Sequence, residues 1–296
     1  MHKYLSLLLF AWIAFWSCED EKDETVPTEV TLWGVNYIIE TTDSLILKSQ
    51  NLSGNIPKEI GYLTNLTHLD LSSNQISGLI PVEIGKLTSL ISLKIHNNDI
   101  SGTIPPEIGD LVNLNHINIG HNNISGSIPL ELFNLNKLEY LFLGSNDISG
   151  SIPPEIGTLT NLKYLSFYSN DITGPIPLEI GGLVNLQNLQ LFANQISGSI
   201  PSSLGNLSNI NTLMIHFNQL SGLIPDEICN LDLTFSSNFA IRLDNNNLWG
   251  FAIQYGQSDT DIGSSGSTTD SENINLSVYR TRPLDDDNFI EGMFGV

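Results

Sequence analysis

The chain is poor in cysteine, in positive charge and in long apolar runs. Of its 296 residues only Cys18 and Cys229 are cysteines, too few for a disulfide framework, so the fold must be held by packing. Lysine and arginine together number 11 against 32 aspartates and glutamates, a net charge of −21. That balance excludes nucleic acid as a partner and excludes attraction to an anionic membrane by charge. The one long apolar run, Tyr4 to Trp16, is shorter than a membrane span requires. The motifs of catalysis are missing too. There is no Gly-rich phosphate loop, no nucleophile elbow, no His/Cys cluster at zinc spacing and no pair of acids set among apolar neighbours. An enzyme is not expected, and neither is a cofactor or a resident metal.

What is present is a repeat. Eight copies of a 24-residue unit start at Thr42, Leu66, Leu90, Leu114, Leu138, Leu162, Leu186 and Ile210 and fill residues 42–233. Their shared form is Leu-x-x-Leu-x-Leu-x-x-Asn-x-Ile/Leu-Ser-Gly-x-Ile-Pro-x-x-Ile-Gly-x-Leu-x-x. The alternating leucines predict one short strand per unit, stacked in parallel in the order of the sequence. The asparagines at 74, 98, 122, 146, 170, 194 and 218 predict a buried amide ladder that satisfies backbone groups where the chain leaves the strand. Gln50 breaks that ladder in the first unit. Glycine in the Ser/Thr-Gly pair permits the next turn. Prolines at 57, 81, 105, 129, 153, 177, 201 and 225 then open a helical turn, with glutamate two residues on in all units but the one with Ser203. The glutamate column reads as a helix-start device facing free amides, rather than as a calcium ladder. Each unit sends roughly seven apolar side chains inward, and one unit alone has nothing to pack them on, so the array needs caps.

The Leu-Ser/Thr-Gly-x-Ile-Pro segment at this spacing closely resembles the plant-type subclass of leucine-rich repeats. That subclass occurs in plant receptor ectodomains, polygalacturonase-inhibiting proteins and secreted bacterial proteins. The resemblance implies an α/β repeat solenoid: a right-handed, somewhat twisted horseshoe with short parallel strands on its concave face and an extra short strand near Ile-Pro. Within residues 30–41, Leu32 to Tyr37 resembles the family's N-terminal cap, with Asn36 and Tyr37 where a paired cysteine would stand. Cys229 takes the place that glycine holds in most units and has no visible partner. A partial ninth repeat, Ile241 to Leu248 within 234–250, is four residues out of phase, which places an insertion near Thr234–Ser237. Beyond Leu248 the chain departs from the caps of related bacterial proteins. A frameshift and a divergent cap both account for this, and the acidic, Ser/Gly-rich residues 251–296 are expected to be disordered.

At the other end, His2 and Lys3 precede the apolar run, which stops at Ser17-Cys18. Residues 1–18 resemble a bacterial lipoprotein signal with Cys18 as the lipidated residue; an ordinary cleaved secretory signal is the alternative. Residues 19–29 would follow as an acidic tether. Either reading takes the protein out of the cytoplasm, to an outer-membrane or cell-surface position or to secretion.

The letters that differ from copy to copy mark the functional face. Rows about 4.8 Å apart carry His68 with Asp70, Lys94 with His96, and His116 with Asn118 and His121. Further along come Tyr140 and Phe142, then Tyr164, Ser166 and Tyr168, then Asn188, Gln190 and Phe192, and last Met214, His216 and Phe217. Candidate ligand contacts are His68, His96, His116, His121, Tyr140, Phe142, Tyr164, Tyr168, Phe192, Met214, His216 and Phe217. Such side chains on a rigid surface make interface hot spots or sugar-stacking platforms, with packing alone as the alternative. His96 and His121 approach across adjacent rows, but no converging ligand set accompanies them. The expected function is non-enzymatic recognition at the cell surface, with a protein, peptide or glycan on the concave face. Two alternatives are a secreted inhibitor of a wall-degrading enzyme, by analogy of fold, and a passive spacer.

Overall fold

A computed structural model describes residues 27–231 and 240–249. The signal with Cys18, most of the acidic tether, the insertion near Thr234–Ser237 and the tail at 251–296 lie outside the described residues.

The described chain begins with an antiparallel hairpin, Glu29–Leu32 paired with Val35–Ile38. Its tip is Trp33-Gly34, both with positive φ (45° and 80°), the two-residue geometry that matches the twist of paired strands. Val30 and Leu32 are buried and join the apolar core. Across the hairpin the Thr31 hydroxyl donates to Asn36 Oδ1 at 2.6 Å, a polar tie where the family resemblance pointed to a cysteine.

Each repeat then makes one coil of a solenoid. Nine parallel strands, from Ser44–Ile46 through Ala240–Arg242, form one sheet in strict sequence order. In each strand of the full repeats the middle residue is buried (Leu69, Leu93, Ile117, Leu141, Leu165). The residues on either side of it point to the open face, as the two-residue period of a strand requires. A second sheet of nine parallel strands, from Ser53–Asn55 through Asn247–Trp249, forms on the Ile/Leu-Ser-Gly segment just ahead of Ile-Pro. The ninth coil keeps both sheets going: Leu213 pairs with Ile241 and Gly222 with Leu248, four residues later than the period sets.

The third side is made of five-residue 3-10 turns, one per unit, from Lys58–Tyr62 to Asp226–Asn230. They are 3-10 rather than α because the buried apolar residues lie three apart: Ile84 and Leu87 are both buried, and Leu87 N–H bonds to Ile84 O at 3.1 Å. Among the described residues there is no α-helix. Proline is the extended residue just before each turn, and the glutamate lies in its first turn. Neighbouring turns pack backbone to backbone. A Cβ on Gly85 would come within 2.8 Å of Glu107 O, so glycine is required there by close approach. Phe133 replaces that glycine in the fourth unit and is itself buried.

One coil, Leu66 to Ser89, buries seven aliphatic side chains: Leu66, Leu69, Leu71, Ile76, Ile80, Ile84 and Leu87. The asparagine ladder stitches the coils. Asn122 Oδ1 accepts from Ile100 N at 3.0 Å, while its Nδ2 donates to Ile95 O at 3.1 Å and Ile119 O at 3.0 Å. One amide therefore serves two successive coils. The same bridge recurs down to Asn246. Above the gap at Gln50, Asn74 Oδ1 accepts from Gln50 N and Leu52 N.

Candidate ligand-binding face

In-register parallel stacking places residues 24 apart directly beside one another, so Tyr140 has His116 on one side and Tyr164 on the other. Three columns of side chains result. The first contains His68, His116, Tyr140 and Tyr164, the second Asp70, Lys94, Phe142, Gln190 and Met214. The third, two residues past the strand's last outward position, contains His96, Gly120, Gly144, Tyr168, Phe192 and His216. The next residue in each coil sits in the left-handed region, and this is where His121 (φ 52°) and Phe217 (φ 51°) are placed. Those two project from the turn beyond the strand, at the rim of the face.

The first column carries one ring ladder. His116 and Tyr140 stack with centres 5.3 Å apart and 28° between planes, and Tyr140 and Tyr164 with 5.2 Å and 18°. Phe142 tilts against His116, 5.6 Å away, and against Tyr164, 6.3 Å away. The third column carries another. Tyr168 and Phe192 stack at 4.9 Å and 5°, Phe192 and His216 at 4.7 Å and 11°, and Phe217 closes on His216 at 5.2 Å.

Two glycines that sequence reasoning passed over shape the second ladder. A Cβ on Gly144 would lie 2.5 Å from Tyr168 Cε1, so the Tyr168 ring lies over a place where any other residue would stand. From there its hydroxyl reaches His121 Nε2 at 2.9 Å, two units back. Gly120, next to Gly144 in the same column, is equally bare. The legible signal was the lack of a side chain at two successive positions of a column that carries rings on either side of them, at His96 and at Tyr168.

Near-parallel rings whose centres are about 5 Å apart must overlap face to face, because rings lying side by side need more room. Tyr140 and Phe192 each have a ring stacked on both faces. The ladders therefore turn ring edges outward and keep their faces for each other, while the Tyr168 hydroxyl is taken by His121. Between them, Ser166 donates to Gln190 Oε1 at 3.2 Å, and Met214 continues that middle column.

The histidines differ in their surroundings. His68 is exposed, with Nδ1 3.0 Å from the Thr67 hydroxyl, and joins neither ladder. His96 Nδ1, His116 Nε2 and His216 Nδ1 are shut off from solvent with no hydrogen-bond partner. Burial, then the positive charge of Lys94, pushes the His116 pKa down to about 4. Burial lowers His96 and His216 as well, with Asp70 opposing it at His96 and Arg242 adding to it at His216. These imidazoles are neutral at pH 7 and act as flat apolar rings. No group of three or more His, Cys, Asp or Glu among the described residues could hold a metal.

Comparison with known proteins agrees with this architecture. Leucine rich repeat family models match residues 41–100 and then 113–135, 137–159, 161–183, 185–207 and 209–231. No curated protein matches the chain. Among solved structures, the plant peptide hormone receptor RGFR1 in complex with RGF2 is 39% identical, over 67% of this chain and 31% of that one, with a TM-score of 0.64. The Arabidopsis receptor kinase HAESA ectodomain, in complex with an IDA peptide hormone, is 36% identical over 67% of this chain and 33% of its own, with a TM-score of 0.62. A plant ice-binding protein is 28% identical, over 70% and 66%, with a TM-score of 0.61. The chain thus spans about a third of the length of the two receptors. On its repeats, its two parallel sheets and these matches, the chain belongs to the leucine-rich-repeat family.

Proposed function

We propose that this solenoid is a recognition module that binds an extended peptide or protein segment along its strand face, over the two ring ladders. The observation that carries this reading is the edge-on presentation of the rings. A sugar platform needs free aromatic faces, and here the inner rings have both faces covered. Ring edges, tyrosine hydroxyls and the amides of Asn118, Asn188 and Gln190 suit a backbone that both donates and accepts hydrogen bonds. The likeness to peptide-bound receptor ectodomains supports it. The ice-binding relative has the same fold, so the fold alone does not choose the ligand; the side chains of this face do.

The test is selection from a random displayed-peptide library on the protein and on its Tyr164→Ala/Tyr168→Ala variant. The protein is expected to enrich a consensus. The variant, with unchanged circular dichroism, is expected to bind the enriched peptide at least about tenfold more weakly, roughly 1.4 kcal/mol. Enrichment of nothing, alongside binding on a glycan array, would sink the peptide reading.

A further inference from the structure

The 3-10 side of the solenoid carries a second ordered surface, on which the ring ladders have no bearing. The residue after each proline opens outward. In five successive coils it is Val82, Pro106, Leu130, Pro154 and Leu178, with Val82 and Leu130 54% exposed and Leu178 66%. Single exposed apolar residues are ordinary, but a row of five in register is a patch. Beside it runs the glutamate column, of which Glu131, Glu155 and Glu179 are exposed. Across Glu107, Glu131, Glu155 and Glu179 the 3-10 turns contain no basic residue in their last turn. None of these glutamates makes an ion pair among the described residues, where the pairs are Lys163–Glu139 and Arg242–Asp244. Glu107 Oε2 is shut off from solvent with no hydrogen-bond partner. Helix-start chemistry accounts for one carboxylate per turn but not for an apolar row kept in step with it.

We infer that this stripe docks a basic amphipathic segment of a partner protein, with apolar side chains on the Val82–Leu178 row and lysines or arginines on the glutamates. Charge decides between occupants. The chain's own residues 251–296 carry eight acids against Arg280 and Arg282, so the acidic column repels them. A second copy brings the same column and a net charge of −21. An anionic bilayer is repelled in the same way. A cationic segment with an apolar face gains on both counts, and a shape of that kind is the usual ligand of an apolar strip.

The probe is an amphipathic helical peptide of leucine and lysine, with polylysine of equal charge as its control, titrated against the full chain. Expected is binding of the Leu–Lys peptide that falls at least tenfold in Val82→Ser/Leu130→Ser/Leu178→Ser and in Glu131→Gln/Glu155→Gln/Glu179→Gln. Tyr164→Ala/Tyr168→Ala should leave it unchanged, which separates this surface from the strand face. Polylysine should bind the protein and the serine variant alike. All six positions are exposed, and circular dichroism checks that the variants fold. Equal binding of the Leu–Lys peptide to the protein and the serine variant would show attraction by net charge alone and overturn the proposal. So would no binding at all, or binding to anionic vesicles in its place.

Discussion

At the scale of single residues, His116 shows how a ring can be polar in name and apolar in use. Its pKa is held down to about 4 against an ordinary 6.5, so between those values the unfolded chain takes up a proton that the folded chain refuses. Stability from this site is full above pH 6.5, falls as pH drops toward 4 and levels below that. His116→Phe keeps a ring in the stack and removes the titration. Its urea midpoint should therefore fall less than that of the parent between pH 7 and pH 4. Parallel curves for the two proteins would rule out the linkage. Gly144 offers a separate handle. Gly144→Ala puts a methyl where the Tyr168 ring lies, and the ring can swing outward without disturbing the core. We expect peptide binding to weaken severalfold and the Tyr168–His121 contact to disappear from nuclear Overhauser spectra, with the unfolding free energy within about 1 kcal/mol of the parent.

At the scale of elements, strand, turn and 3-10 segment are each too short to persist alone, and each is held by the coil on either side. The strands were legible from alternating leucines and the turns from Ser/Thr-Gly, because these are local patterns with local causes. The helical side was legible only as a turn after proline. That it is 3-10 follows from Ile84 and Leu87 sharing one buried side, a fact of packing. The same packing makes Gly85 critical for a reason unrelated to φ. Gly85→Ala drives a methyl into the backbone of Glu107, which cannot retreat without parting two coils. Overpacking of this kind costs about 1–3 kcal/mol, so an unfolding free energy lower by that amount, read as a lower denaturant midpoint at unchanged slope, is expected, and an unchanged midpoint would mean that the turns slide apart freely.

At the scale of the whole molecule, a net charge of −21 is spread over a chain in which the described residues form two ion pairs. Self-repulsion on that scale is long-ranged and screened by salt. Raising the salt from a few millimolar to about 0.15 M, where the Debye length is about 8 Å, should raise the melting temperature by several degrees. A melting temperature that falls with salt would mean that favourable charge pairs dominate instead.

The sequence by itself determined the coil: its period, its buried leucines, its asparagine bridge and the columns its variable positions occupy. It could do so because each copy repeats one local arrangement, and stacking adds only a neighbour of the same kind. Tertiary structure decided what the variable letters do together. Tyr168 reaches His121 across space that Gly144 leaves free, which neither residue's own neighbourhood reveals. The rings face each other rather than the solvent because in-register strands set them about 5 Å apart. That spacing, a property of parallel strand pairing and of no single residue, is what turns a list of exposed aromatics into two ladders with edges on offer.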